Sequence, residues 1–195
     1  MSESPSVNKD RVLTCSVYCN GNKLGNEYTL VAATVHLELN RIGKATLKFN
    51  AGNTNKQTFD ESDADLFKPG NAIRLEVGDI EKENILFDGM IIGLRIITDK
   101  DFHSYMLVEC RDHAYSATQG RKNRIFEKKK DCDIIKEVLS AYGSVEVDST
   151  PYQYPTLVQY YCSDWDFALS RADANGLFIF TDGGKIKVKK PDVST

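Results

Sequence analysis

The 195-residue sequence lacks any long apolar segment and any excess of positive charge. No apolar run approaches the roughly 18 to 20 residues that a membrane-spanning helix requires. The first ten residues, MSESPSVNKD, lack the apolar region of a signal peptide. A net charge of −3 gives no overall attraction to nucleic acids or acidic membranes. We therefore expect a cytoplasmic protein, exported only if a dedicated apparatus moves it, with no nucleic-acid partner and no stable membrane insertion.

The sequence also lacks the cysteine spacing of a disulfide framework or a zinc site. Its five cysteines are an odd number, and no two are arranged as C-x-x-C. Cys15 and Cys19 are predicted to face the same side of one strand, but two thiolates without further ligands do not hold a metal. We expect reduced thiols, no metal and no cofactor. The five are Cys15, Cys19, Cys110, Cys132 and Cys162.

Catalytic motifs are absent as well. The sequence contains no H-E-x-x-H, no G-x-S-x-G, no P-loop and no dinucleotide-binding fingerprint. Asp112 and His113 are neighbours and would point to opposite faces of a strand, so they make a poor dyad. Asp164 and Asp166 fall in the first turn of a predicted helix, where carboxylates cap more often than they catalyse. We predict that the protein is not an enzyme and has no catalytic residue. The remaining histidines, His36 and His103, lie on separate predicted strands or turns.

What the first half does contain is a series of short strands with no helix between them. Apolar residues alternate with polar ones, and glycine, asparagine and proline mark the turns. Gly89 and Gly93 interrupt a strong strand pattern and predict bulges or sharp coiling. We predict a small antiparallel β-barrel or sandwich from about Arg11 to Tyr115. The clearest strands are 12–19, 35–39, 45–49, 72–77, 85–97 and 105–111.

The remainder alternates between helix and strand. Asp131 or Asp133 is expected to cap a first helix, which Gly143 ends. Ser163 is expected to cap a second helix that ends at Asn175-Gly176. Its apolar stripe is Trp165, Ala168, Leu169 and Ala172, and Phe167 falls off that stripe, so we expect the helix to be wedged between two surfaces. The predicted fold class is mainly β, with a barrel domain at 1–117 and an α+β subdomain at 118–195.

Two charged segments invite a binding interpretation. The acidic residues Asp60, Glu61, Asp63 and Asp65 suggest calcium, but DESDADLF lacks the central glycine of a calcium loop, so a solvated acidic loop is the preferred interpretation. The basic run from Gly120 to Lys130 suggests nucleic acid. It has a single aromatic residue, Phe126, for stacking, so a solvated inter-domain segment is preferred.

Several stretches of the chain resemble the hub portion of VgrG proteins, also called Rhs-element Vgr proteins, which form the spike of type VI secretion systems. That portion is similar in turn to the baseplate hubs of contractile phage tails. The stretches follow the expected order across nearly the whole chain. They are Asn40–Ala45, Asp65–Gly70, Leu86–Gly89, Val108–Asp112, Val158–Tyr160, Ser163–Phe167, Ser170–Ala172, Asn175–Gly176 and Gly184–Pro191.

The resemblance implies a phage-tail-hub β-barrel followed by an α+β hub subdomain, and a structural role. In the family the hub forms a homotrimer, caps the inner tube and carries the spike that delivers effectors. Family members continue into a second barrel, an OB-like domain and a β-helical spike, so we expect this chain to be a fragment or a short stand-alone relative. Its expected partners are itself and the tube protein; the spike-tip protein and effectors would bind only through the missing parts.

Two alternatives remain open. The first is the baseplate hub of a phage-like or extracellular contractile injection particle, which would have the same physical role in a different assembly. The second is a small-ligand-binding β-barrel protein. A hollow apolar interior would favour the ligand-binding protein, whereas a packed interior with an unpaired strand edge would favour the hub.

Overall fold

In the residues that the structure describes, the first half folds as a seven-stranded antiparallel sheet. The computed structural model describes residues 14–50, 65–78, 83–101 and 103–192. The strand order is β2-β1-β5-β6-β7-β4-β3, so sequence neighbours are mostly spatial neighbours. The acidic residues 60, 61 and 63 of the candidate calcium loop lie outside the described residues. The strands are Thr14–Cys19 (β1), Asn22–Lys23 (β2), Leu30–His36 (β3), Lys44–Asn50 (β4), Ala72–Gly78 (β5), Glu83–Thr98 (β6) and Ser104–Asp112 (β7).

The sheet curls around a packed apolar interior. Alternate residues of β4 and β7 point inward and are almost fully buried, as the period of two predicts. Phe67, from the short helical turn Asp65–Phe67, closes one side, with its ring 5.4 Å from that of Phe49. The buried set is Val17, Cys19, Ala45, Leu47, Phe49, Phe67, Ile73, Leu75, Phe87, Ile91, Met106, Val108 and Cys110.

The mainly β fold class is confirmed, but a closed barrel is not found. Among the described strands, β2 and β3 are the two ends of the ladder, and no pairing joins them. The segment between them lies across the gap instead. Leu24 donates its amide to the carbonyl of Val17 in β1, and Thr29 accepts the amide of Asn50, the last residue of β4, so single hydrogen bonds replace a ladder. Leu24, Tyr28 and Leu30 also pack on the interior.

The two glycines in β6 serve different purposes. A Cβ on Gly89 would lie 2.1 Å from the carbonyl oxygen of Arg111, because β6 and β7 approach closely there. Only glycine fits this position without moving backbone. The register shifts between Ile91 and Gly93, which is the predicted bulge. A Cβ on Gly93 would meet nothing closer than the Glu109 side chain at 3.7 Å.

The second half consists of two helices, a two-stranded ribbon and a three-stranded sheet. The ribbon pairs β8 with β10, and the small sheet has the order β11-β12-β9. A short 3-10 helix, His113–Thr118, connects the halves. The elements are Lys122–Lys130 (β8), Asp131–Leu139 (α1), Val145–Val147 (β9), Gln153–Cys162 (β10), Asp164–Asp173 (α2), Phe178–Asp182 (β11) and Lys185–Lys189 (β12).

Helix α2 begins and ends where the sequence predicts. Ser163 accepts a hydrogen bond from the amide of Asp166 at 3.1 Å, and Gly176 follows in the left-handed region with φ 65°. Trp165 is 5% exposed, and Phe167 is buried off the stripe, which confirms the wedged helix. The predicted cap of α1 is wrong. Lys130 occupies the N-cap position without a side-chain hydrogen bond, and the Asp131 carboxylate binds Arg171. The hydroxyl of Thr150 accepts the Cys132 amide in the first turn instead, at 3.1 Å.

The turn before β4 joins the two halves. Asn40 donates its amide to the carbonyl of Ile179 at 2.7 Å, and its side-chain oxygen accepts the amide of Ile179 at 2.9 Å. The same turn is held to the first sheet by the amide of Asp112, which donates to the carbonyl of Gly43. Ala114, just before the predicted division at 117/118, packs in the core of the second half. The division itself stays a prediction.

Replacement of Gly89 tests the close approach of β6 and β7. We expect Gly89→Ala to lower the free energy of unfolding by about 1–3 kcal/mol, the usual cost of overpacking. Gly93→Ala is the matched control, since its Cβ has room, and it should change stability by less than about 1 kcal/mol. Urea denaturation followed by tryptophan fluorescence measures both. Equal effects of the two substitutions would contradict this account.

Candidate assembly surface

The ribbon carries an exposed apolar surface, which we call the outer ribbon face: Ile125, Val158, Tyr160 and Tyr161. Ile125 and Val158 lie directly opposite each other in the β8–β10 register. Tyr160 is 81% exposed and Ile125 68%. Contiguous apolar surface of this kind on a soluble protein marks an interaction site more often than a single exposed side chain does.

The inner face of the ribbon explains why the outer face cannot turn inward. Phe126 is buried and stacks on Phe167 of helix α2, with ring centroids 5.7 Å apart. Gln159 of β10, which pairs with Arg124 of β8, is also fully buried. Since residues alternate between faces, fixing Phe126 and Gln159 inward fixes Ile125, Val158 and Tyr160 outward.

An irregularity at the end of β10 places a second tyrosine on the surface. The register shifts between Gln159 and Cys162, and Tyr161 has a positive φ of 45°. The Tyr161 amide donates to the side-chain oxygen of Asn123, which holds the bulge in place. Tyr160 and Tyr161 are therefore both exposed, and the Arg121 guanidinium lies 5.1 Å from the Tyr161 ring.

The ribbon is held to the helices by a buried carboxylate. The side chain of Asp164, at the start of α2, is fully buried and accepts hydrogen bonds from Lys122 at 2.6 Å and from Tyr142 at 2.7 Å. Gln159 donates to it at 2.9 Å, and Arg124 lies within 3.3 Å. The position in the first helical turn also favours negative charge. Asp164 therefore binds both ribbon strands to the helix start.

A second buried carboxylate has a similar role at the other end of the ribbon. Arg171 of α2 forms a bidentate pair with Asp131 of α1, at 2.6 and 3.0 Å. Asn175 donates to the same carboxylate, and Arg171 also donates to the hydroxyl of Tyr154 on β10. This cluster joins both helices to the ribbon.

Both carboxylates stay ionised under ordinary conditions. Burial raises the pKa of Asp164, but hydrogen bonds from Gln159, Lys122 and Tyr142 outweigh that effect and leave the pKa below its usual value. Burial likewise raises the pKa of Asp131, and the bonds from Arg171 and Asn175 bring it below the usual value. These groups have structural partners on every side, so they are cross-links within the fold.

The histidines do not converge. His113 lies 3.4 Å from Asp88, and hydrogen bonding to that carboxylate raises the pKa of His113. Asp112 points elsewhere and accepts the amide of Ala114. His36 lies at the end of the edge strand β3. No catalytic arrangement of these groups appears in the described part of the chain.

A cluster of three titratable side chains lies at the turn between β6 and β7. Asp99, Asp101 and His103 offer ligand atoms within 4.8 Å of one another at the exposed β6–β7 turn. Asp99 already accepts the backbone amides of Asp101 and His103, which is the ordinary bonding of an Asx turn. This cluster stabilises the turn.

The basic run from Gly120 to Lys130 was predicted to be a solvated connection, and that prediction is wrong. Residues 122–130 form strand β8, because alternate residues, above all Phe126, bury against α2. The signal in the sequence was the alternation around Phe126, which the neighbouring lysines obscured. The outer ribbon face was also not predicted, because an exposed apolar strand face and a buried one show the same pattern of apolar residues in the sequence.

Similar solved structures identify the class of fold. Over 93% of this chain, a 43 kDa tail protein of prophage MuSo2 from Shewanella oneidensis superposes with a TM-score of 0.73 at 12% identity. A tail protein from Neisseria meningitidis MC58 covers 94% with a TM-score of 0.67 at 12% identity. An E. coli protein described as a component of the type VI secretion system, similar to T4 tail proteins gp27 and gp5, covers 88% with a TM-score of 0.63 at 14% identity.

The fold is thus that of phage-tail hub proteins, and the resemblance to Vgr proteins is confirmed at this level. The chain spans about half of the solved proteins, 54%, 52% and 48% of their respective lengths. By sequence, the chain belongs to the family described as the Alg8 N-terminal domain, whose model matches residues 9–195. No curated protein matches the sequence.

The described helices α1 and α2 are short, and neither is long and apolar enough to cross a membrane.

Acid titration tests the two buried carboxylates. Because their folded-state pKa values are lowered, their stabilisation is present above the unfolded pKa of about 3.9 and is lost as pH falls through the folded values. We expect Asp164→Asn to cost about 2 kcal/mol at neutral pH, less than a wholly buried pair because Lys122 and Arg124 are about one-third exposed. The variant should also lose less stability in acid than the parent.

The matched control for this titration is Asp182→Asn. Asp182 pairs with Lys187 but is 61% exposed, so its loss should cost under about 1 kcal/mol. Urea midpoints measured from neutral pH into acid compare the three proteins. An Asp164→Asn variant with the parent's acid profile would show that the carboxylate is not a cross-link.

Proposed function

We propose that this chain is a structural hub component of a contractile injection apparatus. Its most specific form is the hub of a type VI secretion spike, which caps the inner tube and carries the spike for effector delivery. The observation that carries the proposal is the outer ribbon face, an apolar surface of Ile125, Val158, Tyr160 and Tyr161 on a phage-tail-hub fold.

The interior of the first sheet supports a hub over a ligand-binding protein. Phe49, Leu47 and Met106 are at most 1% exposed, so side chains fill the interior where a ligand would lie. The described strands also leave β3 with an unpaired edge. A packed interior with an open edge is the combination that favours assembly.

The outer ribbon face suits contact with a second copy or with a tube subunit. Tyrosine is one of the residue types that supply most of the binding energy in protein interfaces, and the outer ribbon face has two, with Ile125 and Val158 adding apolar area beside them. The ribbon is two strands wide in the described part, so it also offers backbone groups along its edges. In a full-length trimer, three copies of this face would meet symmetry-related surfaces.

A baseplate hub of a phage-like or extracellular contractile particle is the second candidate. It is favoured by the two prophage or tail proteins, which superpose with TM-scores of 0.73 and 0.67, above the 0.63 of the secretion-system protein. A structure described as the PdpA-VgrG complex from Francisella, with a TM-score of 0.56, supports the first candidate, the secretion-spike hub. Both candidates assign the same non-catalytic, structural role.

The proposal includes the rest of the assembly. The chain would form a homotrimer when joined to the further hub domains, bind the tube protein, and reach spike-tip protein and effectors through those further domains. It would assemble in the bacterial cytoplasm and leave the cell on firing. No enzymatic step belongs to this role.

Light scattering on the purified chain, alone and mixed with the cognate tube protein, tests the proposal. We expect self-association or a complex with the tube protein. Ile125→Glu and Tyr160→Glu should weaken that association at least tenfold, since each places an unpaired charge in an apolar contact. A parent chain that stays monomeric and binds no tube protein would overturn the proposal.

Leu86→Glu is the matched control. Leu86 is 42% exposed on β6, away from the ribbon, and the substitution makes the same change of side chain. It should leave the association intact. Equal losses from Leu86→Glu and Tyr160→Glu would show a general effect of charge and not a contact through the outer ribbon face.

A further inference from the structure

A second surface, separate from the outer ribbon face, gathers positive charge. We call it the basic cleft, an opening of about 380 Å³ between the first sheet and the second half. It contains more cations than the acidic chain as a whole would suggest, since the net charge is −3. Its lining includes His36, Arg41, Lys44, Arg111, Tyr115 and Trp165.

Sheet register creates this concentration. His36, Lys44 and Arg111 are directly opposite one another on the neighbouring strands β3, β4 and β7. Directly opposite residues share one face of a sheet, with Cβ atoms about 4.5–5.5 Å apart. Two permanent cations and an imidazole therefore form one row across three strands, roughly 10 Å long at the usual strand spacing.

The row has no counter-charge in the described part of the chain. Glu38, the acid in the cleft, pairs with Arg41 at 3.3 Å. Glu109, two residues before Arg111 on the same face, is bonded to Arg95. Neither Lys44 nor Arg111 forms an ion pair with any described residue. Like charges placed directly opposite destabilise a sheet, so an arrangement of this kind gains from an external anion.

The other walls limit what that anion can be. Ile42 and the half-buried Tyr115 add apolar surface, and Trp165 is 5% exposed. A nucleic-acid site typically has several exposed aromatic rings and a wide positive field, and an acidic chain does not supply such a field. A row of charges matches carboxylates repeated along an extended segment better than one compact anion, because each carboxylate can meet one strand's cation.

We propose that the basic cleft is a docking site for an acidic segment of a partner protein, with carboxylates contacting Lys44 and Arg111. The site lies apart from the ribbon, so it does not depend on the hub assembly. A partner held here would contact both halves of the chain at once. Its association would be salt-dependent, because the cations are at the surface.

A labelled peptide of alternating glutamate and serine is the probe, with its glutamine-serine counterpart as the neutral comparison. We expect fluorescence anisotropy to show binding of the glutamate peptide alone and progressive loss of binding with added salt. Lys44→Glu and Arg111→Glu should each weaken binding at least fivefold, and the double variant should abolish it. A labelled single-stranded DNA of similar charge and inorganic phosphate are measured beside it.

Lys48→Glu is the matched control, since Lys48 lies on the same strand and face, four residues along, and packs over Tyr105 instead of the cleft. It should retain the binding that Lys44→Glu loses. Lys44→Glu should also melt no lower than the parent, because it relieves like-charge crowding, so lost binding cannot be ascribed to unfolding.

Four outcomes would overturn the inference: no binding of the glutamate peptide at low salt, equal binding of the glutamine peptide, preferential binding of DNA or phosphate, or equal losses from Lys44→Glu and Lys48→Glu.

Discussion

The buried carboxylate of Asp164 is the interaction on which the second half of the molecule depends. It receives Lys122 from β8, Gln159 from β10 and Tyr142 from the turn after α1, while its own backbone begins α2. Charge-assisted hydrogen bonds of this kind are directional, so they fix the ribbon at one angle to the helix. The outer ribbon face is therefore a rigid surface, and little ordering entropy is lost when it is covered.

Directional hydrogen bonds also fix the contact between the two halves of the chain. Asn40 contacts Ile179 twice: its backbone amide donates to the Ile179 carbonyl, and its side-chain oxygen accepts the Ile179 amide. The backbone of Asn40 adopts the left-handed conformation, with φ 61°, and this directs both its amide and its side-chain oxygen toward Ile179. The basic cleft opens beside this junction, with Asn40 in its lining. Its shape thus follows from how the two halves fit together.

Local patterns predicted many of the elements, although the strand expected at 35–39 is found at Leu30–His36. The period of two in Ala45, Leu47 and Phe49 gave a real strand with those residues buried, and Ser163 with Gly176 marked the true limits of α2. Gly93 marked a real bulge. Each of these features is encoded within a few residues, which is why sequence reasoning could find them.

Features that depend on distant contacts were not predictable. The open ladder results from how residues 24–29 lie across a gap, which no local pattern describes. The lysines of β8 hid a strand whose burial depends on Phe167, far along the chain. The cation row is invisible in sequence, since 36, 44 and 111 meet only through strand register. Likewise the start of α1 depends on distant partners, since Arg171 binds the Asp131 carboxylate and the Thr150 hydroxyl accepts the Cys132 amide.

The pairing of Asn40 with Ile179 joins residues 139 positions apart, and this separation bears on the order of folding. The seven strands described in the first sheet lie within residues 14–112, so that sheet can form before β11 has been synthesised. The closing contact waits for β11 and carries the entropy of a very long loop. A nascent chain would therefore expose the basic cleft's first-sheet wall, and the turn at Asn40, until β11 leaves the ribosome.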